Sequence, residues 1–275
     1  MQIQHVSYIS PKENIYPATK ISSLFIILIQ TLGIIMESTN QSWSICVLCY
    51  NEEGSISKVL TDLEAVFTEK PSIDYEIIVI NDGSTDGSRE VIQDHINRSS
   101  SKKLKLIDHP ENLGIGMAIR TGYQNSEKEN VMAMCGDGQF KLEDLKNNLS
   151  IENGSFISYF RKDKTNYTLF RKFLSETNKS VNRYFFGIHL KDVNWVKAYK
   201  REDLESIDYE IQSSLVETEI AAKLIKKGLH VKEVETYYLP RLAGEAKGAS
   251  LKIVYLAVIE LFKLIYVINV KFRPS

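Results

Sequence analysis

The chain has 275 residues, of which 43% are hydrophobic and 25% charged, so it is long enough for one large domain or two small ones. This ordinary globular composition excludes a disordered, collagen-like or coiled-coil protein. Its 34 basic and 35 acidic residues give a net charge of -1, which disfavours a general nucleic-acid binder. The cysteines Cys46, Cys49 and Cys135 lie in apolar runs, and we expect them to be reduced and buried. Cys46 and Cys49 have C-x-x-C spacing but lie inside a strand pattern, so we expect neither a redox nor a metal site there.

The charges are distributed unevenly along the chain. Residues 42–150 carry 11 basic and 18 acidic side chains, a net charge of -7, whereas residues 161–201 carry 11 basic and 3 acidic ones, a net charge of +8. The acidic region would suit a cation and a nucleotide base, and the basic region would attract an anionic partner. The alternative interpretation of both regions is solvated surface charge.

An apolar run near the N-terminus covers residues 21–36 and is shorter than the roughly 20 residues that span a bilayer core. We expect residues 1–41 to be an N-terminal extension, either a short membrane anchor or a non-native start, since Met36 precedes the first strand closely enough to begin the natural chain. No cleavage site with small residues stands out, so we expect no export and a cytoplasmic location, with peripheral membrane attachment as an option.

From Trp43 onward, strand and helix patterns alternate. Apolar runs predict four strands at residues 44–48, 75–80, 104–107 and 131–134. Apolar residues at helical spacing, together with glycines before the third helix, predict helices over residues 56–67, through 91–96 and over 114–123. Ser84 or Thr85 is the predicted N-cap residue of the helix that runs through 91–96. This order predicts an α/β fold with a mostly parallel sheet flanked by helices, and ligand binding beyond the carboxyl ends of the strands.

Polar clusters follow the predicted strands. Asp82, in Asn-Asp-Gly-Ser, can accept hydrogen bonds from a base or a ribose, although a tight turn would use the same residues. Residues 112–116, Asn-Leu-Gly-Ile-Gly, begin a helix whose backbone N–H groups could face phosphate. Asp137 and Gln139 offer hard oxygen ligands of the kind that Mg²⁺ or Mn²⁺ holding a diphosphate prefers, although a lone Asp after a strand is more often a turn residue.

In this order the clusters resemble family 2 glycosyltransferases, and among these the dolichol/polyprenol-phosphate sugar transferases. The first matching motifs are Tyr50-Asn51-Glu52, Asn81-Asp82-Gly83-Ser84, Asn112-x-Gly114-x-Gly116 and Gly136-Asp137-Gly138-Gln139. The match continues through Arg161, Arg171, Ser175, Asn178, Gly187, Asp192, Lys197-Ala198, Arg201, Glu217-x-Glu219 and Arg241-x-x-Gly244-x-x-Lys247. The resemblance covers Trp43 to about Ser250.

The resemblance implies a GT-A-like fold and an inverting, metal-dependent transfer of sugar from a nucleotide diphosphate sugar. It implies catalytic roles for Asp137, Arg241 and Asp192. It implies nucleotide binding by Tyr50, Glu52, Asp82 and Gly114. It implies acceptor binding by Arg161, Arg171 and Ser175, and Mg²⁺ or Mn²⁺ on Asp137 and Gln139.

The expected acceptor is a polyprenyl or dolichyl phosphate. The alternative is a glycan hydroxyl in cell-surface polysaccharide synthesis, which would require a base such as Asp192, Glu217 or Glu219. Cys135 stands where the family usually has the first Asp of Asp-x-Asp, which leaves a non-catalytic nucleotide-sugar-binding relative as a further alternative. A sugar nucleotidyltransferase is disfavoured, because residues 50–54 contain no Lys or Arg.

We expect the glycosyltransferase domain to cover residues 42–250 and an apolar C-terminal helix to cover residues 251–275. Glu260, Lys263 and Asn269 interrupt the apolar sequence of this helix. Two interpretations stay open: a packing helix, or a helix that lies on a membrane surface with basic side chains near anionic lipid. These side chains are Lys252, Lys263, Lys271 and Arg273.

Overall fold

The structure, a computed structural model, describes residues 41–162, 169–243 and 251–274. In its first half, strands and helices alternate: β1 (Trp43–Cys49), α1 (Ile56–Thr68), β2 (Tyr75–Asn81), α2 (Ser88–Arg98), β3 (Leu104–Asp108), α3 (Ile115–Gln124) and β4 (Asn130–Cys135). The second half contains α4 (Leu142–Lys146), β5 (Ser155–Arg161), α5 (Leu169–Phe186), β6 (Lys197–Lys200), α6 (Arg201–Glu205), α7 (Val216–Lys226), β7 (His230–Thr236) and α8 (Leu251–Tyr266). A π-helical segment, Val267–Lys271, continues α8.

The described strands form one sheet in the order β3-β2-β1-β4-β6-β5-β7. Strand β1 pairs in parallel with β2 and with β4, and β2 pairs in parallel with β3. Strand β6 runs antiparallel to both of its neighbours, while β5 and β7 are parallel. The predicted α/β fold with a mostly parallel sheet is therefore confirmed. Because chain order reverses at β1, the crevice between β1 and β4, beyond their carboxyl ends, is where such sheets bind ligands.

Both faces of the central sheet are buried. On β1, Ile45 and Val47 belong to the core beneath one face, while Cys46 and Leu48 belong to the core beneath the other. Apolar runs without alternation, such as β1 and β2, are typical of parallel strands covered on both sides. Cys46 and Cys49 are buried and free, and they lie in the cores on opposite faces, so they do not form a joint redox or metal site.

The start of helix α2 differs from the expectation. The helix begins at Ser88 with Gly87 at the N-cap position, so neither Ser84 nor Thr85 caps it. Asp86 accepts hydrogen bonds from the Ser88 amide (3.0 Å) and hydroxyl (2.5 Å), which gives Asp86 the local capping role. Ser84 instead accepts a hydrogen bond from the Asn51 amide, at 2.9 Å, in the loop after β1.

The turn after β2 requires glycine at Gly83. Its φ is +64°, in the left-handed region, and a Cβ there would lie 2.2 Å from the carbonyl carbon of Glu111. The turn after β2 therefore packs directly against the loop after β3. This contact brings two loops together at the carboxyl edge of the sheet.

Helix α8 and its π-helical continuation pack one face on the domain and leave the other exposed. Leu264, Val267 and Ile268 are buried, whereas Phe262 and Tyr266 are 71% and 58% exposed. None of the helices in the described ranges combines the length and the apolar character needed to cross a bilayer.

Candidate functional site

The loops after β1 and β2 are joined by side-chain to backbone hydrogen bonds. The backbone N–H of Asn51 donates to the Ser84 hydroxyl (2.9 Å), and the backbone N–H of Thr85 donates to the side-chain oxygen of Asn51 (2.7 Å). The Glu52 amide donates to the Ser88 hydroxyl at 2.8 Å. Asn51 has a φ of +53°, a conformation that Asn tolerates better than most residues. These bonds fix Tyr50 and Glu52 at the rim of the crevice.

Glu52, Asp137 and Arg241 meet at the carboxyl ends of β1 and β4. The Arg241 guanidinium contacts the Glu52 carboxylate through Nη2 and lies 3.2 Å from Asp137 Oδ2 through Nη1. The Leu242 amide donates to the Asp137 carbonyl at 3.2 Å, so the segment after β7 is anchored beside the loop after β4. Predicted nucleotide-binding and catalytic residues from three separate chain segments are therefore in direct contact.

The protein donors that would hold a metal here are few and of oxygen type. Asp137 Oδ1 accepts a hydrogen bond from the backbone N–H of Gln139 at 3.0 Å, and the side chains of both residues are buried. No cluster of three or more His, Cys, Asp or Glu suited to a metal lies within the described ranges. A carboxylate and an amide oxygen fit Mg²⁺ or Mn²⁺ only if a substrate diphosphate and water complete the coordination, which is how Mg²⁺ is commonly bound.

Cys135 is chemically unsuited to replace the Asp that the family usually has at this position. Desolvation by the surrounding protein, together with the nearby carboxylates of Asp137 and Glu52, raises the pKa of the Cys135 thiol to about 12. The thiol is therefore protonated at neutral pH in the metal-free protein, and a soft sulfur ligand is a poor match for a hard cation such as Mg²⁺ or Mn²⁺. Metal binding by Asp137 and Gln139 stays a prediction.

Asp82 connects β2 to the start of α3. Its Oδ1 accepts the Leu113 amide (2.9 Å), its Oδ2 accepts the Gly114 amide (2.9 Å), and His109 Nδ1 lies 2.7 Å from Oδ1. His109 Nε2 is 2.9 Å from the Thr121 hydroxyl. The amides of Leu113 and Gly114 are thus directed at Asp82. Nucleotide contacts by Asp82 and Gly114 stay predictions. Both residues also have a structural role, because their hydrogen bond connects the end of β2 to the start of α3.

A cleft of about 390 Å³ opens beyond β1, β2 and β3. Tyr50, Ser84 and Asp108 are among its lining residues. The side-chain nitrogen of Asn81 donates to Asp108 Oδ1 at 2.8 Å, and Arg89 pairs with Asp108 Oδ2 at 3.0 Å. Such a mixture of an aromatic ring with fixed donors and acceptors is suited to a nucleoside.

Of the acceptor residues, Arg161 is described and contacts Asp192 in a buried ion pair. Arg161 therefore lies beside a residue for which a catalytic role was expected. Arg171 and Ser175 lie in helix α5, but their side chains fall outside the described residues, as do those of Lys247 and Lys252.

Three residues at this edge of the sheet were not among the sequence candidates. His109 contacts Asp82, while the rings of Trp195 and Tyr238 lie 4.6 and 5.5 Å from the guanidinium carbon of Arg161. His109 follows β3 directly, and its place at a strand end is the signal that could have identified it. No pattern in the sequence links Trp195 or Tyr238 to Arg161, because the contacts join distant segments.

Comparison with known proteins identifies similar sequences. The family model described as glycosyl transferase family 2 matches residues 44–188. Two dolichyl-phosphate beta-glucosyltransferases of Trichomonas vaginalis are similar: ALG5C is 30% identical over 46% of this chain, and ALG5A 27% over 76%. The undecaprenyl-phosphate 4-deoxy-4-formamido-L-arabinose transferase of Aeromonas hydrophila is 26% identical over 78% of this chain. The chain covers 42%, 68% and 64% of these three relatives' own lengths.

Solved structures share the fold. The mannosyltransferase PcManGT from Pyrobaculum calidifontis, in complex with GDP-Man and Mn²⁺, is 15% identical with a TM-score of 0.56, over 81% of this chain and 66% of that one. Glucosyl-3-phosphoglycerate synthase from Mycobacterium tuberculosis, in complex with Mn²⁺, UDP-Glc and phosphoglyceric acid, is 15% identical with a TM-score of 0.59, over 82% of this chain and 79% of that one.

Proposed function

The chain belongs to glycosyl transferase family 2, and we propose that it transfers a sugar, with inversion, from a nucleotide diphosphate sugar to a polyprenyl or dolichyl phosphate. The observation that carries the proposal is the contact of Arg241 with both Glu52 and Asp137 at the carboxyl ends of β1 and β4. The names of the similar dolichyl- and undecaprenyl-phosphate transferases support the acceptor class.

On the donor side, the site would bind the nucleotide sugar and offset the negative charge of its diphosphate. Tyr50, Glu52 and Asp82 would hold the nucleoside, and Arg241 would contact the diphosphate as it leaves. Mg²⁺ or Mn²⁺, when held by Asp137 and Gln139, supplies Lewis-acid neutralisation of the leaving group's charge. Fixed positive charge beside a leaving group is often the largest contribution to rate acceleration. The solved structures with bound Mn²⁺ support this choice of cofactor.

On the acceptor side, no general base is required. A lipid phosphate is already an anion at neutral pH, so its oxygen attacks the anomeric carbon while the bond from that carbon to the diphosphate breaks. No proton needs to move. Arg161 would hold the phosphate, since a guanidinium fork can bind two oxygens, and Arg171 and Ser175 would assist. Asp192 would then keep Arg161 oriented.

A lipid acceptor implies that the enzyme works at a membrane surface. In this proposal residues 42–250 form the catalytic domain, and the C-terminal helix lies against lipid on the cytoplasmic side. The exposed side chains of Phe262 and Tyr266, together with the basic Lys263, Lys271 and Arg273, support this arrangement.

The proposal is tested by assaying the full chain with Mn²⁺, radiolabelled UDP-, GDP- or CDP-sugars and dolichyl phosphate in detergent. Label in the organic phase is the expected result, and Asp137→Asn serves as the negative control. Label transferred only to a soluble glycan would instead support polysaccharide synthesis. Binding of a nucleotide sugar without turnover to either acceptor would support the non-catalytic alternative that Cys135 raises.

A further inference from the structure

The loop between α6 and α7, residues 206–215, lies between the C-terminal helix α8 and the first turn of α3. Ser214 of this loop, Ile115 at the start of α3 and Asp137 after β4 line the same cavity. The loop therefore reaches the carboxyl edge of the sheet, where nucleotide and metal binding are predicted.

On one side the loop packs against α3 at very short range. A Cβ at Gly116 would lie 2.1 Å from the carbonyl oxygen of Gln212 and 2.2 Å from that of Ser213, so only glycine allows this approach. One turn further along α3, the Arg120 guanidinium donates to the carbonyl of Tyr209. Because the loop backbone and the first turn of α3 are in direct contact, a shift of the loop would displace that turn or open a gap beneath it.

On the other side the same segment is held by α8. Glu260 Oε1 accepts a hydrogen bond from the backbone N–H of Gln212 at 3.2 Å, and Oε2 accepts one from the backbone N–H of Ser213 at 2.8 Å. Lys263, which lies one turn further along α8, donates to the carbonyl of Glu210 at 3.0 Å. Gln212 and Ser213 thus face α3 with their carbonyl oxygens and α8 with their N–H groups.

Glu260 interrupts the apolar sequence of α8, and its contacts explain why an acidic residue stands there. On the outer face of the helix, where Ile259 and Phe262 are exposed, a carboxylate would be repelled by anionic lipid. Glu260 is instead half-buried against the loop. Its two oxygens each accept one N–H, and charge-assisted bonds of this kind are stronger than those between neutral groups. Glutamine would keep one oxygen but direct an NH₂ group at the second N–H.

We infer that Glu260 is a positioning residue for binding of the nucleotide sugar. It touches no substrate and acts through the loop, which it holds against the first turn of α3 beside Gly114, a predicted nucleotide contact. The inference rests on the proposed function and deepens it. It makes the inner face of the C-terminal helix part of the catalytic unit.

The test is calorimetric titration of the full chain and of Glu260→Gln with UDP, GDP and CDP, with Mn²⁺ present and lipid vesicles left out. We expect the variant to bind the preferred nucleotide about ten- to a hundredfold more weakly, since displacement of a binding group by about 1 Å can have an effect of this size. In steady-state kinetics the KM for the nucleotide sugar should rise by the same factor, and the KM for dolichyl phosphate should be unchanged.

Glu76→Gln is the matched control for a loss of stability. Glu76 is also a carboxylate that accepts a backbone N–H, from Glu127 at 2.7 Å, but it lies at the amino end of β2, on the opposite edge of the sheet. Thermal unfolding should show both variants to be less stable than the parent, and only Glu260→Gln should lose nucleotide affinity. If both variants bind nucleotide as the parent does, Glu260 has a purely structural role and the inference is wrong.

A second variant covers the case in which Glu260→Gln does not fold. Lys263 is exposed, so Lys263→Met should leave the fold intact. It removes the hydrogen bond to the Glu210 carbonyl and loosens the same loop. Nucleotide affinity should therefore fall in the same direction, and full parent affinity in Lys263→Met would count against the inference.

Two further results distinguish the inference from the proposed function. An equal rise in the KM for nucleotide sugar and for dolichyl phosphate would show a general loss of the site, and it would overturn a specific role of Glu260 in nucleotide-sugar binding. Continued transfer to lipid phosphate by the parent would then leave the proposed function standing. A parent that binds none of the three nucleotides would overturn both.

Discussion

Arg161 and Asp192 form a two-point ion pair: Nε lies 2.6 Å from Oδ2, and Nη2 lies 3.0 Å from Oδ1. Both side chains are nearly buried, and the Trp195 ring lies 4.6 Å from the guanidinium carbon. A planar guanidinium held in this way on one edge has its orientation fixed. The residue expected to bind the acceptor and one expected to act in catalysis thus form a single unit.

Replacing Arg161 by Lys should weaken acceptor binding in particular. Lysine keeps the positive charge but loses the planar fork that matches a phosphate. Loss of one charge-assisted contact is worth about 1.5–3 kcal/mol, so the KM for dolichyl phosphate should rise about ten- to a hundredfold. Steady-state kinetics with each substrate varied in turn measure the effect. An equal rise in the donor KM would contradict acceptor binding by Arg161.

Arg161→Ala is the less informative change, because it removes the guanidinium that pairs with the buried Asp192 carboxylate. Breaking a buried pair in this way typically costs about 3–5 kcal/mol of stability. Thermal unfolding of Arg161→Ala beside Arg161→Lys therefore separates a loss of fold from a loss of acceptor binding.

Asp137→Asn should abolish turnover while leaving the fold intact. The Asn side chain is almost the same size but has no charge with which to attract a hard cation. Cys135→Asp should preserve or raise activity, because it adds a carboxylate where the thiol, with its pKa raised to about 12, stays protonated. Turnover during Mn²⁺ titration of both variants is the measurement. Transfer by Asp137→Asn at the parent rate would show that the metal assignment is wrong.

Asp82→Ala should weaken nucleoside diphosphate binding by roughly 1–3 kcal/mol, the usual cost when a charged hydrogen-bonding group is lost. Because Asp82 also holds the Leu113 and Gly114 amides, the same change should lower the unfolding temperature. Calorimetric titration with UDP, GDP and CDP measures the first effect. His109→Gln, which alters one Asp82 partner but keeps the carboxylate, is the matched control. Unchanged nucleotide affinity in Asp82→Ala would limit Asp82 to its structural role.

The sequence was most informative where one local pattern dominates. Residues 75–80, YEIIVI, form a continuous apolar run that ends in Asn-Asp-Gly-Ser, and the observed strand Tyr75–Asn81 agrees to within one residue. By contrast, the antiparallel strand Lys197–Lys200 has lysine at both ends, and both lysines are buried. Lys197 is accommodated through the carbonyls of Val193 and Trp195, contacts that no hydrophobic period predicts.

The sequence could not predict which side chains from distant segments contact one another. Motif order identified Asp82, Asp137 and Arg241 as candidates, but not that Arg241 would contact Glu52, 189 positions away. The approach of Arg161 to Asp192 and of His109 to Asp82 depends in the same way on how the loops pack. These contacts are decided by tertiary structure, which local propensity and spacing do not encode.

Glu76 should make stability dependent on acid pH. Burial acts to raise its pKa, but hydrogen bonds from Lys105, Ser44 and the Glu127 amide outweigh it and hold the pKa below its usual 4.5. Its stabilising contribution is therefore fully present above the usual pKa and lost as the pH falls through the lowered value. Glu76→Gln should be less stable than the parent at about pH 6, with the gap narrowing towards about pH 3. Denaturant unfolding across this range is the measurement, and a constant gap would contradict the assignment.

The exposed face of the C-terminal helix should bind anionic membranes. Ile259, Phe262, Tyr266 and Val270 are each between 49% and 71% exposed, and their spacing of three, four and four residues puts them on one face. Full burial of one such side chain is worth about 1.5–3 kcal/mol, so even partial insertion of two aromatic rings is substantial.

The double change Phe262→Ser with Tyr266→Ser should therefore lower affinity for phosphatidylserine-containing vesicles about tenfold or more. Sedimentation with vesicles of graded anionic content gives the affinity. Tyr237→Ser removes a 49% exposed aromatic residue next to β7 and should bind as the parent does. Activity towards a short-chain acceptor in solution should be unchanged in the double variant, since the substitutions lie outside the catalytic site. If the double variant sediments with vesicles as the parent does, the face that carries Phe262 and Tyr266 does not contact lipid. The vesicles then bind another part of the chain.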